Sequence, residues 1–319
     1  MTHVLVLNAG TVRQMTLEAY CDDPHVHDFV WVHIDGRHDH ARQKVQRLAD
    51  MPEPAVNALV AQETRPRCTF MGHGALVNLR GPGVEGEELT GDPLVSIRLW
   101  AEKGRVISVS YRNLAALDPV MAGMRAGKIR DPGDLIAAFA QEITDVLDPE
   151  VAELGDDLDD IESALDAEGS AETRRTVSRI RATAIGYRRF ISPQRQAIER
   201  LAMADAPWLA EDDRLHLQEA ADRCARMAEE LEAVRERAAL AHEGLTDLRA
   251  EQMNLQALII SVVALVFLPL TFITGLLGMN VVGIPFAHAP WAFWGVVGVC
   301  LVIALAISGW FVASHWLKR

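Results

Sequence analysis

The residues of this chain best suited to chemistry are metal ligands and amides, and they fall in two places. Near the N-terminus, Cys21, His25, His27, His33, His38 and His40 crowd together with Asp22, Asp23, Asp28, Asp35 and Asp39. Thiolate, imidazole and carboxylate are the groups that hold zinc. Their spacing matches no standard zinc pattern, and His33 falls in an apparent strand. A polar surface with scattered histidines is the plainer alternative, because a metal site needs convergent geometry. Near the C-terminus, Gly278-Met279-Asn280 and His288 sit inside Leu255 to Leu317, a stretch without a single Asp, Glu, Lys or Arg. No serine elbow, HExxH, paired-carboxylate motif or GK[ST] phosphate loop stands out, so no enzymatic activity is expected.

The elements that must carry these residues divide by solvent. The chain has 319 residues and a net charge of −13, from 31 Lys+Arg against 44 Asp+Glu. That sign argues against nucleic acid as a partner. Four scattered cysteines, Cys21, Cys68, Cys224 and Cys300, form no disulfide framework and suit a reducing cytosol. The start has no basic region ahead of a long apolar one, so no signal peptide is expected. Two apolar stretches, about 255–277 and 291–312, each span roughly 32–35 Å as helices, against ~30 Å of hydrocarbon. Backbone groups without water partners require both to be helices. The connecting residues 278–290 hold no Lys or Arg, whereas Arg249 precedes the first helix and Lys318-Arg319 follow the second. The positive-inside bias therefore puts both termini in the cytoplasm and the loop outside. Trp291, Trp294, Trp310 and Trp316 bracket the second helix as an interfacial belt.

A stripe of small and polar residues runs along the first helix at three- and four-residue steps: Asn254, Ala257, Ser261, Ala264, Leu268, Thr271, Gly275 and Gly278. Such a stripe serves either close helix packing or the lining of a pore. Pro269 bends or loosens the helix near mid-membrane.

The first 148 residues read as mixed α and β. Strands are expected at Val4–Leu7, Phe29–Ile34, Ala75–Leu79, Leu94–Ala101 and Arg105–Ser110, the last two joined by Glu102-Lys103-Gly104. Helices are expected at Ala41–Asp50, Pro54–Gln62, Leu114–Met124, and from Asp131-Pro132 to about Leu147. Beyond that, an acidic stretch from Glu150 to Glu168 precedes a basic helix with Arg174, Arg175, Arg179, Arg181, Arg188 and Arg189. Opposite charge suggests an antiparallel pair. A helix starting near Asp212 can continue unbroken into the membrane, with Leu217, Ala221, Cys224, Leu231, Val234 and Ala238 as an apolar stripe. One hairpin cannot enclose water, so transport requires several subunits.

Gly278-Met279-Asn280, directly after the charge-free helix ending Phe267-Leu268-Pro269-Leu270-Thr271-Phe272-Ile273-Thr274-Gly275, resembles the CorA superfamily of divalent-cation transporters. Glu63-Thr64-Arg65-Pro66-Arg67, Ser192-Pro193-Gln194-Arg195, Pro207-Trp208 and Val281-Val282-Gly283-Ile284-Pro285 resemble its ZntB branch of zinc transporters. The resemblance implies a CorA-like, funnel-shaped homopentamer in the inner (plasma) membrane, with no cofactor. Each chain would have an α+β cytosolic domain over 1–148, a helical region and stalk over 149–254, and a transmembrane hairpin over 255–319. Gly278, Met279 and Asn280 would form the outer mouth, with the Asn280 amide meeting the hydrated ion. Asn254, Leu268 and Thr271 would face the pore, which tips the whole stripe toward pore lining. Magnesium-type members usually follow the tripeptide with acidic residues, whereas Val281 to Pro290 offers only His288. Imidazole suits zinc better than magnesium, although a plain interfacial histidine fits the position too. The expected function is Zn²⁺ uptake, with proton coupling open. The membrane potential favours entry of a divalent ion by about 4.6 kcal/mol at ~100 mV. A CorA-type Mg²⁺/Co²⁺ channel and a membrane-anchored oligomeric metal sensor are the alternatives.

Overall fold

Short runs of Val, Ile, Leu and aromatic residues build a seven-stranded sheet in the N-terminal part of the chain. The structure, a computed structural model, describes residues 2–23, 25–37, 40–48, 51–62, 65–84, 94–164, 171–281, 283–286 and 289–316. The strands are β1 (Thr2–Asn8), β2 (Thr11–Met15), β3 (Phe29–Asp35), β4 (Arg67–Met71), β5 (Gly74–Pro82), β6 (Leu94–Glu102) and β7 (Arg105–Ser110). Their order is β2-β1-β3-β7-β6-β5-β4. Every neighbouring pair is antiparallel except β3 and β7, which run parallel at the centre. The β1–β2 turn places Ala9 and Gly10 at φ 47 and 78, the left-handed pair that a two-residue hairpin needs.

Each face of the sheet is covered. On one, Val4, Val6, Val30, Val32 and Ile34 share a core with Val45 of α2 (Ala41–Leu48) and with Val56 and Leu59 of α3 (Glu53–Leu59), below which α1 (Leu17–Asp22) contributes Leu17. On the other, Trp31 meets Phe139 of α5 (Pro132–Ala164) edge-on, with ring centres 5.6 Å apart. Burying side chains of this size contributes roughly 1.5–3 kcal/mol each. Gly81 lets α5 approach β5: a Cβ there would lie 2.8 Å from Ile143 Cγ1. The short α4 (Leu117–Arg125) precedes α5.

Two long helices follow, α6 (Ala171–Ala202) and α7 (Glu211–Leu277), and then α8 (Ala292–Trp316). The helix expected to end near Leu147 runs on through Pro149 to Ala164. The acids of α5 are answered in part from α7 rather than from α6 alone. Asp145 pairs with Arg223, and Asp159 and Glu162 pair with Arg237. Arg188 of α6 likewise reaches Glu232 of α7, at 3.1 Å. These pairs are partly exposed, so each is worth little singly. The cause is geometric: α7 passes alongside both helices and carries arginines fourteen residues apart in sequence, at 223 and 237.

The chain comprises two compact units, Met1–His242 and Glu243–Arg319. The second holds the end of α7 and all of α8. Both Glu211–Leu277 and Ala292–Ala313 contain windows long and apolar enough to cross a membrane.

Candidate functional site

Beyond Leu255, α7 is held by its own backbone bonds, and its hydroxyls reinforce them. Ser261 Oγ donates to Ala257 O at 2.8 Å, Thr271 Oγ1 to Phe267 O at 2.8 Å, and Thr274 Oγ1 to Leu270 O at 2.9 Å. The hydroxyl hydrogens are thereby engaged, while the oxygens keep lone pairs that can accept from water.

Asn254, Ala257, Ser261, Ala264, Leu268, Thr271 and Gly275 are all exposed in the single chain, Leu268 by 75%. The half-buried residues of this segment are Leu258, Val262, Val266, Pro269, Leu270 and Ile273. A matching set recurs on α8 at Val296, Cys300, Ile303, Ala304 and Ile307. The half-buried set of α7 gathers on one face of that helix, and that of α8 on one face of its own. At ~100° per residue, the exposed stripe lies roughly 150° around α7 from its half-buried face.

At the helix end, Gly278 N–H donates to Thr274 O at 2.9 Å. A Cβ on Gly278 would sit 3.0 Å from that same oxygen, so the tight exit suits glycine. Met279 and Asn280 follow, exposed and past the last helical turn. Gly283 turns the chain at φ 111, and Phe286 packs on Trp291 with ring centres 5.2 Å apart. Val282, Ala287, His288, Lys318 and Arg319 lie outside the described residues.

Comparison with known proteins is decisive for ancestry. The profile of the family described as CorA-like Mg²⁺ transporter protein matches residues 26–319. The chain belongs to the CorA family. It is 32% identical over 290 residues to the zinc transport protein ZntB of Pectobacterium carotovorum, covering 91% of this chain and 86% of that one. It is 34% identical over 298 residues to the divalent cation transporter CmaX of Pseudomonas aeruginosa, covering 90% and 87%. The solved structure of full-length CmaX matches with a TM-score of 0.81 at 30% identity over 98% of this chain and 96% of that one. The CorA magnesium transporter of Methanocaldococcus jannaschii shares the fold, at a TM-score of 0.81 and 17% identity, over 99% and 98%.

The first unit of this CorA-family chain, Met1–His242, separates the N-terminal histidines that the sequence crowds together. His33 leaves the group: it is buried in β3, its Nδ1 2.9 Å from Ser108 Oγ, which also accepts from Trp31 Nε1 at 2.9 Å. Burial pushes its pKa down to about 3, so the ring is neutral. Asp28 is engaged by Ala9 N–H at 2.7 Å and Asp35 by the Arg37 guanidinium at 2.9 Å. His40 stands exposed, and His38 and Asp39 lie outside the described residues. Among the described residues of this group, Asp23 touches two of the histidines, one on each oxygen: His25 Nδ1 is 2.5 Å from Asp23 Oδ1, and His27 Nε2 is 3.4 Å from Asp23 Oδ2.

A second meeting of acids has no counterpart in the sequence, where Asp131-Pro132 reads as a capping residue and first position that open a helix. The cap is present: Asp131 Oδ1 accepts from Asp134 N–H at 2.9 Å. Asp134 Oδ2 takes Arg130 N–H at 2.9 Å. Asp213, at the third position of α7, reaches back to Ala210 N–H at 2.8 Å, the acid half of a capping box. The three carboxyl groups come within 4.8 Å of one another. Gly133 makes the approach feasible, since a Cβ there would lie 2.0 Å from Asp213 Oδ2. Asp213 is 1% exposed, and its pKa is pushed up to about 6, first by burial and then by Asp131 and Asp134. The only advance signal is the acidic first turn Glu211-Asp212-Asp213.

Proposed function

We propose that this chain carries Zn²⁺ into the cell through a pore formed by several copies of α7, five by analogy with the family resemblance. The observation that carries this reading is the stripe from Asn254 to Gly275. It lies opposite the half-buried face of α7 and is followed by an exposed amide, Asn280, in a membrane segment with no charge. Small residues along it leave room for a water-filled path, and the Ser261 and Thr271 oxygens supply acceptors beside it. Gly278, Met279 and Asn280 form the outer mouth, both termini lie in the cytoplasm, and the protein resides in the inner membrane. Likeness to ZntB and CmaX over nine-tenths of the chain supports a divalent cation as cargo. The lack of carboxylates from Val281 to Pro290 favours zinc over magnesium.

A magnesium-type channel is the second reading, favoured by a stripe whose polar atoms are all hydroxyl and amide groups. Flux of Zn²⁺ and Mg²⁺ into sealed liposomes containing the purified protein, at equal concentrations, separates the two. The zinc reading expects clear preference for Zn²⁺. Equal rates put the magnesium reading in its place, and no flux of either ion leaves a membrane-anchored sensor.

A further inference from the structure

We propose that Asp23, His25 and His27 form a binding site for a transition-metal ion, Zn²⁺ in the first instance, in the soluble unit. The three residues line one pocket of about 430 Å³ together with Tyr20, Cys21 and Glu102. His27 anchors it. Its side chain is only 6% exposed, yet Nε2 has no hydrogen-bond partner and faces Asp23 Oδ2 at 3.4 Å. Two ligands on one tetrahedral zinc, each about 2.0–2.1 Å from the metal, sit about 3.3–3.4 Å apart. One edge of a coordination shell is therefore already set.

Asp23 is suited to be the anionic ligand. Its Oδ1 accepts from His25 N–H at 3.0 Å, while Oδ2 stays turned toward His27. His25, 79% exposed, is free to turn its ring from Oδ1 onto the metal. Arg47, Lys103 and Arg105 also border the pocket, and Arg105 is held by Glu102. A basic border disfavours a loosely held hard cation and leaves the site to ions that gain from nitrogen ligands.

The imidazole must offer Nε2 as a lone pair, so Nδ1 must carry the hydrogen. Nδ1 lies 2.8 Å from the Asn8 amide, whose oxygen accepts from Asp28 N–H at 3.2 Å. Turning that amide over presents the Asn8 oxygen to Nδ1–H, the outer-shell bond typical of metal-bound histidine, and gives up its bond from Asp28 N–H. Metal binding then ties the segment after α1 to the start of β3.

Full-length protein in detergent, stripped of metal, is titrated with Zn²⁺ against a chromophoric chelator. His27→Gln and Asp23→Asn should each lose one zinc equivalent per chain or weaken it at least tenfold. His25→Gln, at an exposed position that cannot upset folding, should weaken the same equivalent, while Asn8→Asp should tighten it about tenfold. Equal zinc number and affinity in wild type, His25→Gln and His27→Gln overturns the proposal. The readout is equilibrium binding, so it does not depend on transport: a chain that binds here but moves no zinc keeps the site and loses the transport reading.

Discussion

Replacing Asp213 by Asn should stabilise the protein at pH 8 and leave it unchanged, or slightly less stable, at pH 5. Asp213 is buried against Asp131 and Asp134, and its pKa stands near 6 against an ordinary 3.8. The folded form therefore binds its proton more tightly than the unfolded chain does. The stability linked to that proton is complete below about pH 4 and is lost as pH rises through about 6. The gap corresponds to about 3 kcal/mol, which bounds what removing the ionisation can recover. Asn keeps an oxygen for Ala210 N–H but forfeits the charge on that bond, worth about 1 kcal/mol. A net gain of about 1–2 kcal/mol at pH 8 remains, or roughly 5 °C in melting temperature for a unit of this size. Thermal unfolding of the detergent-solubilised protein, followed by circular dichroism at pH 5, 6, 7 and 8, measures it. The reasoning fails if Asp213→Asn melts below wild type at pH 8 by as much as at pH 5.

Gly133→Ala should destabilise by about 1–3 kcal/mol through the clash with Asp213, although helix propensity alone predicts a gain; a higher melting temperature would contradict the close packing. Asn280→Ala should leave a folded, membrane-inserted oligomer with sharply reduced zinc flux, and wild-type flux would make the tripeptide structural only. A cysteine placed at Ala287 should react with a membrane-impermeant thiol reagent in intact cells, and one placed after Arg319 should not. The reverse labelling pattern would invert the proposed topology.

The parts of the fold that sequence reveals are those where one force dominates. β1, β3, β5, β6 and β7 are rich in apolar residues and buried on both faces, and such a run announces itself despite buried polar residues such as Asn78, Arg98 and Ser108. β2 and β4 do not: Thr11–Met15 and Arg67–Met71 lie at the sheet edges, half exposed, with polar residues among the apolar ones. Their pairing comes from neighbours rather than from their own pattern. The extension of α5 past Leu147 is hidden by Pro149, which reads as a break but is carried by a helix packed on both sides. The uncharged hairpin and its stripe are legible because lipid tolerates no charge. Which histidines converge is not legible, since removal of His33 into the core depends on strand register. The approach of Asp213 to Asp131 spans eighty-two positions and rests on the absence of a Cβ at Gly133.

The hydroxyls of Ser261, Thr271 and Thr274 turn back onto their own helix, and this bears on how the protein is made. A newly inserted chain presents lipid with a face of small residues whose hydroxyl hydrogens are already satisfied. From Ala257 to Gly275 that face carries no side-chain donor that must wait for a neighbour. Insertion and association can then be separate steps, the hairpin resting in the bilayer as a monomer until other copies arrive. Assembly would consequently respond to the amount of protein in the membrane, and dilution into lipid should release intact single chains rather than unfolded ones.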